Sequence, residues 1–221
     1  MTTRRTYGDG CAIAQGLDLI GERWALLVVR ELLLGPKRYT DLKKGLPNAS
    51  PNVIYDRLHE LERAGVVKRD KLPPPAGSRV YALTGWGREL EDTVMAIGRW
   101  AARSPSHLRE APVGADSMVL ALRARFDADA ADGLRASYGL RLGEDRFRVV
   151  VSGDAIELAR GDAERPDATI VTDPGTLAAV LWDGRPLADA QRGGELRIEG
   201  DHAAVERFVR LFPMPEPAAA A

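Results

Sequence analysis

The residues able to do chemistry in this chain are few, and their spacing favours binding over catalysis. Cys11 is the single cysteine, and the three histidines (His59, His107 and His202) lie far apart in the sequence. No nucleophile has a base partner at a recognisable spacing, and no Cys/His cluster has metal-ligand spacing. The stretch GDGCAI lacks the third glycine of a dinucleotide fingerprint. We therefore predict a non-enzymatic protein that uses no cofactor.

Positive charge is concentrated in the first half of the chain. Residues 1–103 hold 17 Lys or Arg against 12 Asp or Glu, and the remainder holds 14 against 20. Between residues 37 and 79 the balance is ten cations to five carboxylates. This asymmetry is typical of a nucleic-acid-binding half joined to an acidic module, although solvated surface charge alone could produce it.

The strongest local signal is a capped helix at SPNVIYDRLHELERAG. Ser50 is a natural N-cap, Pro51 suits the first helical position, and Ile54, Leu58 and Leu61 repeat on one face. A short helix from about residue 40 precedes it, capped by a threonine hydroxyl, and the turn GLPNAS joins the two. The upstream stretch GLDLIGERWALLVVRELLLG is predicted as one buried helix that stops at Gly-Pro. This order predicts a helix-turn-helix, in which the second helix enters the major groove of DNA.

The outer face of the second helix carries side chains that can read DNA. Asparagine pairs bidentately with adenine, arginine pairs with guanine, and serine or tyrosine can bond phosphate. An ordinary solvated helix face is the alternative. The residues predicted on this face are Ser50, Asn52, Tyr55, Asp56, Arg57 and His59.

A basic hairpin follows this helix. The β-rich runs GVVKRD and SRVYALT are separated by KLPPPAG, which cannot be helical. We predict the wing of a winged helix, with Arg69, Lys71 and Arg79 beside DNA phosphates. The alternative is a solvated hairpin edge that charge and proline protect from aggregation.

Residues 8–102 resemble the HxlR-type regulators, a branch of the MarR-like winged-helix transcription factors. The resemblance rests on Cys11 before the first helix, and on the motifs GERW, GPKRY, RLxxL, AG and YALT. It implies a homodimer on double-stranded DNA at a pseudo-palindromic operator, with half-sites about 34 Å apart. Arg38 is then expected near phosphate, and Thr40 joins the DNA-binding candidates.

Dimerisation and redox sensing are further expectations from this resemblance. Leu90, Val94, Ile97 and Ala101 repeat at spacings of four, three and four, which suits a partner helix, although packing inside the same domain fits equally. In some family members a cysteine near Cys11 senses oxidants or electrophiles. Here alanine replaces the usual following proline, and a structural or incidental thiol is the alternative.

The second half of the chain predicts a different module. After a linker at residues 104–117, residues 118–221 combine short strands with helices and resemble a sterol-carrier-protein lipid-binding domain, through DATIVTD, LWDGRP and GELRIEGD. The resemblance implies a helix-covered sheet around a site for a small apolar ligand, with a filled core as the alternative. The candidate lining residues are Phe126, Phe147, Val149, Ile156, Ile170, Leu181, Trp182 and Phe208.

The predicted fold class is therefore α+β, with a winged helix-turn-helix and dimerisation helices at residues 1–103. The predicted function is a cytoplasmic, homodimeric transcription regulator that binds DNA and is modulated by a small apolar ligand. No run reaches the roughly 18 apolar residues of a membrane span, so membrane insertion is not expected. The alternative is a lipid-binding or protein-interaction module that has lost DNA binding.

Overall fold

The computed structural model describes residues 6–105 and 111–219, so residues 106–110 of the predicted linker lie outside the described residues. The chain forms two compact units, Met1–Val94 and Met95–Ala221, and the division falls within a helix rather than after residue 103. The elements up to that helix are α1 (Ala12–Ile20), α2 (Ala25–Leu33), α3 (Tyr39–Gly45), α4 (Pro51–Arg63), β1 (Val67–Lys71), β2 (Arg79–Leu83), α5 (Gly85–Arg88) and α6 (Leu90–Ala102).

Helix α4 begins and packs as its sequence predicts. The Ser50 hydroxyl accepts a hydrogen bond from the Val53 amide at 3.3 Å, and proline occupies the first turn. Ile54, Leu58 and Leu61 are at most 1% exposed and lie in a core shared with α2 and α3. Burying each such side chain contributes about 1.5–3 kcal/mol, which fixes α4 against the rest of the unit. The predicted winged helix-turn-helix is confirmed.

Two local predictions were wrong in this unit. The predicted single helix is two, α1 and α2, because the chain turns between Gly21 and Trp24, where Trp24 adopts a left-handed conformation with φ of 78°. Leu27, which falls within that predicted buried helix, is 37% exposed. Thr40 does not cap α3: the helix begins one residue earlier, and the Arg38 amide donates to the Asp41 carboxylate at 3.3 Å.

The wing is an antiparallel pair of strands extended by one further residue. β1 pairs with β2 in a register that places Arg69 opposite Tyr81 and Lys71 opposite Arg79. On the other edge of β2, Lys37 forms an isolated bridge with Tyr81: the Lys37 amide donates to the Tyr81 carbonyl at 3.0 Å, and the Tyr81 amide donates back at 2.8 Å. The segment before α3 therefore acts as a short third strand.

The second unit is built on a mixed five-stranded sheet. Its strand order is β5-β4-β3-β6-β7, and all neighbours are antiparallel except β3 and β6. Helix α7 begins at Ala115, inside the predicted linker. The elements are α7 (Ala115–Arg125), α8 (Ala128–Ala131), β3 (Arg135–Leu142), β4 (Asp145–Ser152), β5 (Ala155–Arg160), β6 (Ala168–Thr172), α9 (Pro174–Trp182), α10 (Leu187–Arg192), β7 (Arg197–Gly200) and α11 (His202–Arg210).

The central strand β3 was missed in the sequence. Its residues alternate between apolar side chains (Tyr138, Leu140 and Leu142, all buried) and polar or small ones. That period of two is the signal of a half-buried strand. The apolar face meets α11 through aromatic contacts, since the Tyr138 and Phe208 ring centroids are 4.9 Å apart. Helices pack on this face, and the other face carries charged side chains.

Candidate nucleic-acid interface

The first turn and outer face of α4 present the predicted readout groups. Ser50, Asn52 and Tyr55 are exposed, as are Asp56 and His59, whose ring stacks on Tyr55 with centroids 6.1 Å apart. Asn52 is the second residue of α4 and lies in its first turn, directly after the capping Ser50 and Pro51. An amide at this place can donate to and accept from a base edge, and its neighbours can bond phosphate.

Arg57 is the exception among these residues. We expected its side chain on the outer face, but only 16% of it is exposed. Its guanidinium lies 2.8 Å from the Glu60 carboxylate and 3.4 Å from the Glu22 carboxylate. Because Glu22 belongs to the turn between α1 and α2, the guanidinium joins that turn to α4. The Arg57 guanidinium is therefore already paired with two carboxylates of the same chain.

Three of the four cations on the wing strands lie on one face, and Lys68 lies on the other. Side chains alternate along a strand, so Arg69 and Lys71 share a face, and their partners in the register are Tyr81 and Arg79. Lys71 and Arg79 are both exposed and lie directly opposite each other. Arg69 is held more firmly: its guanidinium is 3.1 Å from the Glu62 carboxylate and 5.9 Å from the centre of the Tyr81 ring.

The ten cations between residues 37 and 79 fall into two classes. Four have carboxylate partners, namely Lys37, Arg57, Lys68 and Arg69. The other six have no ion-pair partner within residues 6–105 and 111–219, and all six are exposed. These six are Arg38, Lys43, Lys44, Arg63, Lys71 and Arg79. Lys43, Lys44 and Arg63 were not among the predicted contacts, although the local charge count included them.

Helix α3 connects this surface to α4. Arg38 stands at its N-cap and Thr40 is its second residue, and both are exposed. The Tyr39 hydroxyl donates to the Pro51 carbonyl at 2.8 Å, which ties the start of α3 to the start of α4. The two predicted contacts on α3 therefore lie close to the first turn of the recognition helix.

One carboxylate lies within the wing. The amide of Lys71 donates to the Asp70 carboxylate at 2.8 Å, and the Lys68 ammonium lies 3.1 Å away. The hydrogen bond from Lys71 and then the charge of Lys68 lower the pKa of Asp70 below its usual value. Asp70 therefore remains anionic and offsets Lys68, so Lys71 and Arg79 supply the uncompensated charge of the wing.

The predicted ligand-lining residues of the second unit divide by burial. Phe147, Val149, Ile170 and Phe208 are at most 1% exposed, whereas Phe126, Ile156, Leu181 and Trp182 are partly buried. A cleft of about 450 Å³ is lined by Gly139, Leu140, Arg141, Arg146, Phe147, Asp162, Ala163, Pro166 and Thr169. Of the eight predicted residues, Phe147 alone lies on this cleft.

Large apolar side chains remain exposed on two helices. On α1, Ile13 is 75% exposed and Leu17 is 46% exposed. On α6, Trp100 is 78% exposed and Ile97 is 45% exposed. Leu90, Val94 and Ala101 of the predicted seam are partly buried. The exposure of Ile13 and Leu17 was not predicted from the sequence, because α1 and α2 were expected to form one buried helix.

Cys11 is an exposed free thiol at the N-cap of α1, and its amide donates to the Asp9 carboxylate at 2.9 Å. In the part of the chain that the structure describes, no group of three or more His, Cys, Asp or Glu residues is placed to hold a metal ion. None of the helices described has both the length and the apolar character needed to cross a membrane.

Comparison with known proteins assigns the two parts of the chain separately. Residues 19–108 match the HxlR-like helix-turn-helix family, and residues 102–218 match the alkyl sulfatase C-terminal family. The uncharacterised HTH-type transcriptional regulator YvaP of Bacillus subtilis is 38% identical over 96 residues, which are 42% of this chain and 89% of YvaP. The HTH-type transcriptional regulator YodB of the same organism is 34% identical over 84 residues, 38% of this chain and 75% of YodB.

Two solved structures are also similar. The reduced form of YodB has a TM-score of 0.39 at 29% identity, covering 44% of this chain and 97% of YodB. The inverting sec-alkylsulfatase Pisa1 from Pseudomonas sp. has a TM-score of 0.41 at 17% identity, covering 48% of this chain but only 17% of Pisa1. The family model that matches the second half is the alkyl sulfatase C-terminal family, and the resemblance of this half to sterol carrier proteins stays a prediction. The chain belongs to the HxlR-like helix-turn-helix transcriptional regulators and carries a C-terminal part of the alkyl sulfatase C-terminal family.

Proposed function

We propose that this regulator binds a pseudo-palindromic operator as a homodimer, with α4 in the major groove and the wing along the adjacent phosphates. The observation that carries the proposal is the set of six exposed, unpaired cations on α3, on the wing and at the end of α4. Phosphate contacts supply most of the sequence-independent affinity of DNA-binding proteins. Such a protein acts on DNA in the cytoplasm.

Base readout is assigned to the first turn of α4. Asn52 is exposed there, and its amide can pair with adenine, while Ser50 and Tyr55 can bond the backbone. Arg38, Thr40, Lys71 and Arg79 would then contact phosphate from the two sides of the helix. We do not assign base readout to Arg57, because its guanidinium already pairs with Glu22 and Glu60.

The exposed apolar residues of α1 and α6 support the homodimer. A side chain such as Trp100, 78% exposed, exposes a large apolar area to water unless a partner covers it. For the two α4 helices of such a dimer to enter successive major grooves, they would have to lie about 34 Å apart, one turn of DNA. Two recognition helices related by a twofold axis require a pseudo-palindromic site.

The dimer can be tested with Trp100→Glu and Ile97→Glu in one chain. We expect a monomer in sedimentation analysis and weaker DNA binding, because the charges would be buried without partners in the dimer. Glu144→Lys, in an exposed turn of the second unit, is a charge-changing control that should leave the mass unchanged. A dimer that survives both substitutions would contradict this assignment.

Regulation by a small apolar ligand is proposed for the second unit. Four of the eight candidate side chains are core residues, so a ligand that contacts them must displace packed side chains. A ligand regulates DNA binding only if its affinity differs between the DNA-competent and incompetent states. Titration of medium-chain fatty acids against the full chain, followed by thermal melting and DNA binding, tests the idea. A melting temperature that stays constant at saturating ligand would reject it.

Redox or electrophile sensing is proposed for Cys11. YodB, a relative of this chain, has been solved in a quinone-bound form and after diamide treatment. Cys11 here is exposed and precedes α1, which carries the exposed Ile13 and Leu17. A benzoquinone adduct that changes DNA binding in the native chain but not in Cys11→Ser would support sensing. An adduct without any effect on DNA binding would assign Cys11 an incidental role.

DNA binding itself is tested with the DNA upstream of the gene that encodes this chain. We expect preferential binding over excess random competitor, with affinity that falls as salt rises. Absence of preference would be followed by selection of bound fragments from the whole genome. If that selection also returned nothing, the chain would have to be a lipid-binding or protein-interaction module, and the proposal would fail. We infer that it has no enzymatic activity, since its relatives are transcriptional regulators.

A further inference from the structure

Five residues form a continuous line of contacts across the wing, from α2 to α4. We call Glu31, Lys37, Tyr81, Arg69 and Glu62 the wing row. The Lys37 ammonium lies 2.6 Å from the Glu31 carboxylate, and Lys37 pairs through its backbone with Tyr81. Tyr81 lies opposite Arg69 in the β1–β2 register, and the Arg69 guanidinium lies 3.1 Å from the Glu62 carboxylate. The wing is thereby attached to a helix at each side.

The α2 end of the wing row is buried. The Glu31 side chain is 2% exposed, and that of Lys37 is 10% exposed. Arg30 donates to the same carboxylate at 2.7 Å, which leaves Glu31 with two cationic partners. Charge-assisted bonds of this kind are short and hold a fixed geometry, especially away from water. Lys37 therefore has little freedom to move, and neither has the β2 residue paired with its backbone.

The α4 end of the wing row is more exposed, and two weak contacts act there together. Glu62 lies on α4, and its carboxylate meets Arg69, whose side chain is 55% exposed. The same guanidinium lies over the Tyr81 ring at 5.9 Å. An exposed ion pair alone would be weak, but here the arginine is also placed by its strand and by the ring beneath it.

The unpaired wing cations lie two register pairs beyond the row. Lys71 and Arg79 are two residues further toward the turn than Arg69 and Tyr81, and so share their face at a distance of about 7 Å along the strands. No ion pair holds them among the described residues. Their position relative to α4 therefore depends on how the wing is attached at the row.

We propose that the wing row is a positioning device for DNA binding, with the buried Glu31–Lys37 pair as its anchor. The pair makes no DNA contact itself. It holds β2, and through it Lys71 and Arg79, at the distance from α4 at which the recognition helix and the wing meet phosphates together. This inference rests on the proposed DNA-binding function.

The test measures how steeply affinity for a labelled random-sequence duplex falls with salt, using the full chain. Removal of both wing cations, by Lys71→Ala with Arg79→Ala, should flatten the slope by about two. Glu31→Met with Lys37→Met leaves the net charge unchanged and replaces a buried pair by apolar side chains, a type of exchange that folded proteins tolerate. If the row positions the wing, this pair of substitutions alone flattens the slope. In the chain that already carries Glu31→Met and Lys37→Met, removal of Lys71 and Arg79 then changes the salt slope little further.

Arg148→Met with Glu157→Met is the matched control. It removes one ion pair of 3.2 Å, also without a change of net charge, from the sheet of the second unit, and should leave the slope unchanged. If the Glu31/Lys37 variant behaves like this control, and the wing cations still contribute fully in it, the inference is wrong while DNA binding by the wing stands. If Lys71 and Arg79 do not affect the slope of the native chain, the wing contact of the proposed function fails instead.

A second variant decides the matter if the Glu31/Lys37 variant does not fold. Tyr81→Leu keeps the strand and the net charge but removes the ring beneath Arg69. It should flatten the slope in the same direction by a smaller amount. A native slope in a folded Tyr81→Leu chain, with the wing cations still contributing fully, would overturn the proposal.

Discussion

The two units of this chain use positive charge in opposite ways. On the winged helix, six of the ten cations between residues 37 and 79 have no ion-pair partner within the described residues. In Met95–Ala221, eight arginines have carboxylate partners: Arg141, Arg146, Arg148, Arg160, Arg185, Arg192, Arg197 and Arg207. These are half of the sixteen arginines of that unit, and after residue 103 carboxylates outnumber cations by 20 to 14. Positive charge is therefore offset in the second unit, whereas residues 37–79 hold ten cations against five carboxylates.

The difference shows what the ion pairs of the second unit do. Most of them are exposed, and such pairs contribute only about 0–1 kcal/mol each to the free energy of unfolding. Their larger effect is to cancel the field of the arginines, so that the second unit does not attract phosphate. The first unit keeps its charge uncancelled except at buried or strand-fixed positions. Under the proposed function, this charge pattern confines the attraction for DNA phosphates to the first unit.

The largest effect expected from this comparison concerns the buried pair of the first unit. Lys37→Met should lower the free energy of unfolding by about 3–5 kcal/mol, because it leaves the Glu31 carboxylate buried with one partner fewer. Arg148→Met, in an exposed pair of the second unit, should lower it by at most about 1 kcal/mol. Urea unfolding followed by circular dichroism measures both, and equal losses would contradict the distinction.

The next largest effect is the difference expected between two residues of α4, the exposed Asn52 and the ion-paired Arg57. Asn52→Ala should reduce discrimination between operator and random DNA by about 1–3 kcal/mol without changing stability, because its amide is exposed. Arg57→Ala should instead reduce stability by about 1 kcal/mol through the loss of its pairs with Glu22 and Glu60. Competition binding and thermal melting, measured on both variants, check the two directions. A specificity loss in Arg57→Ala with unchanged melting would restore it as a base-reading residue.

A smaller effect is expected at a carboxylate of the second unit that has a capping role. Asp173 caps α9: burial raises its pKa, but hydrogen bonds from the Thr176 hydroxyl at 2.6 Å and amide at 2.9 Å outweigh this and leave the pKa lowered. A lowered pKa stabilises the fold above the unfolded-state value, near 4, and the stabilisation is lost as pH falls through the folded-state value. Asp173→Ala should therefore lose about 1 kcal/mol at pH 7 and less at pH 3.

The smallest effect is expected at Tyr138. Its hydroxyl is buried and has no partner at hydrogen-bond geometry among the described atoms. Burial raises its pKa, and the nearby Arg207 guanidinium opposes only part of that rise. Tyr138→Phe should change stability little at pH 7, since no bond is lost. Above pH 10 the unfolded chain releases this proton before the folded chain does, so native stability falls while that of Tyr138→Phe falls less. Parallel unfolding curves at both pH values would contradict this expectation.

The parts of the fold that depend on neighbours in sequence were predictable. Helix α4 follows from Ser50, Pro51 and the spacing of Ile54, Leu58 and Leu61, because capping and periodicity act within a few turns. The basic hairpin follows from its two β-rich runs around prolines. The surface formed by α4 and the hairpin, including the exposed cations on it, could therefore be predicted from the sequence.

The parts that depend on distant neighbours could not be predicted in this way. Whether Arg57 faces DNA or the protein depends on Glu22, which lies 35 residues earlier and meets it only in the folded chain. The break between α1 and α2 depends on Trp24, whose backbone is in the left-handed conformation. A tryptophan rarely adopts this conformation. Strand β3 does have an alternating pattern, and attention to its period would have identified it.

The close approach of α3 to Glu31 limits how this protein can evolve. A Cβ atom on Gly45 would lie 2.6 Å from the Glu31 Cδ, and closer still to one of its oxygens, so no larger residue fits there while the carboxylate stays. Because Lys37 depends on that carboxylate, positions 31 and 37 are expected to change together, and position 45 is expected to change only when they do. A library randomised at these three sites should return correlated triplets, whereas one randomised at Gly45 alone should return glycine.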